Sequence, residues 1–444
     1  MKKLVAILLT MTVIMSTAAG CTKKTGGKPS RKPTQATDDP EVTQAGLGDV
    51  PTEKRDNGKD AVFQLADTHS GKSTLSSEEL DKAYSEFIFA LLSRCAENAG
   101  DGNVLISADS VLFALNMAAA GADGETLNQM MNTMVPGADN TTAFMYAVAR
   151  MNALQNDSLK IANSVWINEK KADNVYEDYL KYVVGHFDSG VSLVPFNDSG
   201  ISTINEWVAE KTEDRIKELI DKLSPNDLMV LVNAMAFDGK WETEYGENDI
   251  YDMQFTNGKG SKKEVPFLSG AEEIYLDNGE AIGFLKPYDD GKYAFMTILP
   301  NDDSIDINEF MADMSPEEYW MFWESADSSV EVQIRMPEFK SEYEIRLPAI
   351  LKDMGMVDAF DENNADFSNL CSTGAYISDV IHKTYIDVNR NGTQAAAATA
   401  VIVTEKAAMP QEETHFVICN RPFAYAIVDL DTGLPVFIGT VQDV

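Results

Sequence analysis

Four histidines, His69, His186, His382 and His415, are the whole supply of side chains that titrate near neutral pH in this chain of 444 residues. They form no HExxH, and the chain holds no paired CxxC, no P-loop and no GxSxG, so the usual minimal constellations for catalysis are missing. Among 71 acidic residues some pair can always be nominated as a glycosidase acid and nucleophile, which makes that signal uninformative. The chemistry therefore points away from an enzyme, and no cofactor or metal is implied. Cys95, Cys371 and Cys419 remain after Cys21, an odd number that argues against a disulfide framework. Cys95 on an apolar helical face and Cys419 in a strand are expected to be buried thiols.

One stretch differs in kind from the rest. Gly392 to Pro410 reads GTQAAAATAVIVTEKAAMP and carries no charge between Asn391 and Thr404, in a chain with 36 basic and 71 acidic residues, net −35. Taken in steps of two, Thr393, Ala395, Ala397, Thr399, Val401 and Val403 make one face and Gln394, Ala396, Ala398, Ala400 and Ile402 the other. Neither face would carry an ionised group into a core, so the segment can join a sheet. An Ala-rich helix is the competing local reading, and the residues alone leave both open.

The run Gly392-Thr393-Gln394-Ala395-Ala396-Ala397-Ala398-Thr399-Ala400 resembles the hinge of an inhibitory serpin. Ile381-His382-Lys383 resembles the strand leading to that hinge, and Asn420-Arg421-Pro422-Phe423 with Pro435-Val436-Phe437-Ile438-Gly439 is similar to the C-terminal signature. The resemblance implies an α+β serpin fold with a large central mixed β-sheet A, two further sheets, surrounding helices and an exposed reactive-centre loop at about residues 390–412. It implies a suicide-substrate inhibitor rather than an enzyme. A serine or cysteine protease attacks the loop, forms an acyl-enzyme and is trapped when residues from about Thr393 to Thr404 insert into sheet A. A serpin-like carrier or surface protein that never inserts its loop is the alternative, and the alanine run favours inhibition.

Family spacing places the reactive bond 14 positions after the hinge glycine, at Lys406-Ala407, which implies trypsin-like targets. Thr404, Ala407 or Met409 would instead suit elastase-like or chymotrypsin-like enzymes. Ser107, Ser110, Asn205, His382 and Trp241 match the region where the sheet opens, with His382 expected to hydrogen-bond Asn205 and Ser110 beneath it. Three departures from the family pattern stand out: Gln394 takes the place of the Glu frequent after the hinge threonine, and two more lie upstream. Arg390 replaces the acidic residue usual two positions before the hinge glycine, and Ala108-Asp109 stands where a proline is usual between the two serines.

The elements that must position this loop follow from the start of the chain. Met1 to Gly20 has a basic start, an apolar stretch from Leu4 to Met15 and small residues before Cys21, which reads as a secretory signal. Ala18-Ala19-Gly20-Cys21 resembles a bacterial lipobox, implying lipidation of Cys21 and a lipoprotein on the outer face of the bacterial cell membrane, plain secretion being the alternative. Residues 21–74 read as a flexible polar tether and 75–444 as one large domain. Of the charges, 11 basic and 8 acidic residues precede residue 75, leaving 25 and 63, a net of −38, for the domain. Such a surface repels nucleic acid and heparin-like polyanions, and Asn128 to Asp157 offers only Arg150. A monomer is expected.

Within the domain, Ser76-Ser77-Glu78-Glu79 reads as a capping box opening a helix with Leu80, Tyr84, Phe87, Ile88, Leu91, Leu92 and Cys95 on one face. Asn103 to Met131 resembles the serpin strand and buried helix. Ile201 to Ile220 is amphipathic, and Leu228 to Phe237 reads as a strand buried on both faces before Asp238-Gly239-Lys240-Trp241. Val332 to Met336 and Tyr376 to Val388 read as strands, Leu347 to Val357 as a helix ending near Gly355, and 423–430 with 435–441 as a C-terminal hairpin.

Overall fold

Ser76 and Glu79 close a reciprocal cap on the first helix. The Ser76 hydroxyl accepts from the Glu79 N–H, and the Glu79 carboxylate accepts from the Ser76 N–H at 2.7 Å. That helix, α1 (Ser77–Ala99), buries Tyr84, Phe87, Ile88, Leu91, Leu92 and Cys95, the stripe its spacing predicts. The computed structural model describes residues 75–393 and 414–444, all within the second of two compact units, 45–444. The signal and tether assignments (1–20 and 21–74), Cys21, and Gln394 through Glu413 lie outside the described residues.

After α1 come β1 (Val104–Ile106), α2 (Ala108–Ala119), α3 (Gly124–Met134), α4 (Asn140–Leu154), β2 (Leu159–Asn168), α5 (Glu177–Phe187), β3 (Gly190–Val194) and α6 (Asp198–Lys211). Strands then dominate: β4 (Met229–Phe237), β5 (Gly239–Lys240), β6 (Ile250–Thr256), β7 (Lys262–Glu272), β8 (Ile274–Asp277), β9 (Ala281–Pro287) and β10 (Tyr293–Pro300). The last part holds α7 (Ile307–Asp313), α8 (Pro316–Glu324), β11 (Glu331–Pro337), β12 (Phe339–Arg346), α9 (Pro348–Asp353), β13 (Ile381–Asn389), β14 (Gly392–Thr393), β15 (Thr414–Ile418), β16 (Phe423–Asp429) and β17 (Pro435–Val441).

The strands form an α+β arrangement of the expected class. An antiparallel sheet of order β1-β17-β16-β10-β9-β8 has its three central strands, β17, β16 and β10, buried along their whole length, and β15-β11-β7-β6 is a second sheet. The large sheet comes in two parts, β3-β2-β4 and β12-β13-β14-β5. Only Asp238 separates β4 from β5, so the parts share one strand line and meet through β14. The parallel pair β2–β3 makes this sheet mixed.

Two boundaries and one burial pattern differ from the sequence reading. Amphipathic spacing continues to Ile220, but α6 stops at Lys211, because Glu213 and Asp214 adopt φ of 51° and 62°, which no right-handed helix accommodates. β13 begins at Ile381 rather than Tyr376. Upstream the backbone bonds to loops instead of a neighbouring strand, Ile377 N–H to the Ala359 carbonyl and Leu347 N–H to the Val380 carbonyl. β4 is buried on both faces only toward Phe237, since its first residues border an open groove.

A charged residue also sits where composition gives no warning. Asp109, in the first turn of α2, is fully buried and pairs with Arg150 of α4, while Tyr84 donates to it at 2.9 Å. Arg150 lies 4.0 Å from Asp429 as well, so the one basic residue of the 128–157 segment faces inward. A buried charge is tolerated when paired and hydrogen-bonded in this way.

Candidate functional site

β4 and β13 are the two walls of a seam. Among the described residues they form no backbone ladder, and between them lies a groove of about 1090 Å³. Val111 and Leu115 of α2 make its floor, Leu231 and Asn233 one wall, Ile377 and Ile381 the other. Alternation along β4 turns Val232 outward against α6, where it packs with Trp166, Ile204 and Val208. Ile381 packs on the same cluster, so α6 and the chain that follows it cover the seam from outside.

That following chain, residues 212–223, acts as a strap. Asn205 binds it to α6 with three hydrogen bonds: its amide oxygen accepts from Leu219 N–H and Ile220 N–H, and its amide nitrogen donates to the Ile220 carbonyl. Arg215 pairs with Asp238 at 3.0 Å, between β4 and β5. Asp221 pairs with Arg346, at the end of β12, at 2.8 Å. The strap is thus tied to both parts of the sheet.

Ser107, Ser110 and His382 come together beneath the seam, and Asn205 does not join them. The His382 imidazole accepts from the Ser107 N–H at 3.1 Å, while the Ser107 hydroxyl caps α2 by accepting from Ser110 N–H at 3.3 Å. The expected bonds from His382 to Asn205 and Ser110 are corrected accordingly: Asn205 uses its amide on the strap, and Ser110 uses its N–H on the cap. Burial pushes the His382 imidazole down to about 4, so it is neutral here at physiological pH. A neutral ring held by a backbone N–H is a structural histidine.

At the top the seam is closed by the hinge itself. Gly392 and Thr393 form β14, paired antiparallel with Val388 and Asn389 of β13 on one side and with Gly239 and Lys240 of β5 on the other. Gly392 is required by close approach: at φ 156° a Cβ there would overlap the Gly239 carbonyl oxygen. Thr393 is 1% exposed, and its hydroxyl lies 2.5 Å from that of Tyr288. Trp241 donates its indole N–H to the Asn389 carbonyl at 2.9 Å and its backbone N–H to the Asn391 carbonyl at 3.1 Å. Arg390 pairs with Glu338 at 3.3 Å, an ion pair at the strand top made with a basic residue on the hinge side.

Of the site residues read from sequence, Gly392, Thr393, Trp241, Ser107, Ser110 and His382 line the seam or close it, and Asn205 secures its cover. Gln394, Ala395, Ala396, Ala397, Ala398, Thr404, Lys406, Ala407 and Met409 lie outside the described residues. Tyr288 and the strap ion pairs have no counterpart in the sequence reading, and Gly239 enters it only as part of the Gly239-Lys240-Trp241 end of the strand. Tyr288 stands 105 residues from Thr393, a distance no local pattern spans.

A family model described as serpin, serine protease inhibitor, matches residues 82–444. An uncharacterized serpin-like protein of Methanosarcina mazei is 30% identical over 402 residues, covering 86% of this chain and 92% of the relative. The leukocyte elastase inhibitor of Xenopus tropicalis is 30% identical over 378 residues, covering 82% and 98%. Among solved structures, the thermophilic serpin tengpin in its native state superposes with a TM-score of 0.75 at 35% identity, covering 83% of this chain and 95% of that one.

Proposed function

Because the chain belongs to the serpin family, we propose that it is a suicide-substrate inhibitor of serine proteases, trapping its target as an acyl-enzyme when the cleaved loop inserts between β4 and β13. One observation carries the reading: β14 occupies the top of a seam that is otherwise unpaired among the described residues, and the sequence continuing from it is uncharged to Thr404 and small-sided to Ala400. Each further residue that enters gains ladder hydrogen bonds and loses no hydrated charge. The Lys406-Ala407 bond is the proposed point of attack, by a trypsin-like protease first and an elastase-like one second. Export as a membrane-anchored lipoprotein through Cys21 is part of the same proposal, since a loop built as bait must meet secreted proteases.

Incubating residues 75–444 with trypsin and with elastase, then running denaturing gels and mass spectrometry, tests it. A complex stable in SDS and a released peptide beginning at Ala407 are expected. A complex with a different peptide would move the bond to Thr404, Ala407 or Met409. Complete cleavage with no complex would favour a serpin-like binding or surface protein.

A further inference from the structure

Nothing in the composition of the hinge asks for a hydroxyl at position 393, since alanine would enter a sheet as readily. Resting on the inhibitory reading, we propose that Tyr288 is a positioning residue for loop insertion: its hydroxyl captures that of Thr393 and holds the first inserting residue docked before a protease arrives.

The two oxygens are 2.5 Å apart, and both residues are buried, Tyr288 completely. A buried hydroxyl without a partner is costly, so each oxygen fixes the other. The Tyr288 ring has little room to move. It stacks on Trp241 with centroids 4.8 Å apart and planes at 15°, and meets Phe237 edge-on at 4.8 Å. A Cβ at Gly239 would come within 2.7 Å of this ring, so the bare backbone at 239 is what lets tyrosine and hinge meet. On the far side, Lys286 lies 5.5 Å from the Trp241 ring and pairs with buried Glu272 at 2.8 Å. Trp241 also holds the Asn389 and Asn391 carbonyls. One stacked unit therefore grips both the end of β13 and the hinge that leaves it.

Insertion then extends a strand that already exists rather than nucleating one. The acyl-enzyme is lost to hydrolysis at its own rate, so a docked start shifts the outcome toward trapping. Weakening the dock should change that partition without changing attack on the bond, which lies 13 residues beyond Thr393 in sequence.

The test uses Tyr288→Phe, Thr393→Val, the double variant and Thr393→Ser in the full chain. Without protease, amide exchange over 389–393 should quicken about tenfold in Tyr288→Phe and in Thr393→Val, each of which strands one buried oxygen. The double variant should recover much of the protection and Thr393→Ser nearly all of it, outcomes that a packing role for the ring would not produce. With trypsin, Tyr288→Phe should consume several-fold more inhibitor per trapped protease at an unchanged rate of initial attack. Unchanged exchange in Tyr288→Phe would overturn the assignment. So would faster attack with unchanged partition, which would make the dock a restraint on the bait. A wild-type chain that traps no protease would instead defeat the inhibitory reading, while the exchange results would still decide whether Tyr288 docks the hinge.

Discussion

The top and the lower half of the seam are built on opposite terms. At the top, β14 is paired on both sides, Thr393 and Trp241 are buried, and Gly392 meets Gly239 with no space for a side chain. Below, the same two walls enclose a groove of about 1090 Å³, floored by α2 and covered from outside by α6 and its strap. Among the described residues the sheet is paired across at one end and unpaired at the other, which gives it a direction in which to grow. Backbone groups bordering the groove gain ladder partners only when a strand arrives, which is how the fold can hold free energy in reserve.

The largest effect expected from breaking this comparison comes from charging the top. Thr393→Arg would bury an unpaired cation and should abolish the SDS-stable complex while cleavage of the loop continues. Persistence of the complex would mean that the hinge does not lead insertion.

The next effect concerns the floor, where His382 is buried in its neutral form. Its imidazole is pushed down to about 4, so the unfolded chain takes up the proton first. The contribution of His382 to stability is complete above about pH 6.5 and is lost as pH falls toward 4, amounting to about 2 kcal/mol by pH 4.5. Urea unfolding at pH 7 and pH 4.5 should show a shallower acid loss in His382→Gln than in wild type. Equal losses would mean that other groups carry the acid response.

The strap distinguishes the halves more finely. Asn205→Ala removes three hydrogen bonds to residues 219 and 220, and should cost about 1–3 kcal/mol. Amide exchange should quicken over 216–223 and leave 389–393 unchanged; a uniform rise would show that the two regions open together. The smallest effect belongs to Arg390. Its ion pair with Glu338 is partly exposed, so Arg390→Ala should change stability by less than about 1 kcal/mol, and a larger loss would give the pair a role in closing the top.

These contrasts were unequally legible in the sequence. Gly392 and Thr393 pair back on the end of β13 where the resemblance expects a hinge to begin, although the residues alone leave strand and helix open, and the rest of the hinge lies outside the described residues. The capping box at Ser76 and the hairpin of β16 and β17 were legible because they are set by neighbours a few residues apart. The strap was hidden because the apolar spacing that continues to Ile220 is met by an irregular cover after α6 ends, and periodicity does not reveal two left-handed residues at 213 and 214. The partners of His382 and Asn205 were misassigned from resemblance, since a side-chain amide can bind whichever backbone lies nearest. Tyr288 and the Asp109–Arg150 pair depend on contacts between residues 105 and 41 positions apart. Sequence alone supplies no distance for them.

The central claim is that residues following Thr393 fill the lower seam once the loop is cut. Heat unfolding of residues 75–444 before and after limited proteolysis in the loop, with amide exchange of 229–237 and 381–388 in both forms, tests it most directly. The account predicts a large rise in unfolding temperature and new protection along both walls. Cleavage that leaves the unfolding temperature and the exchange of both strands as they were would contradict it.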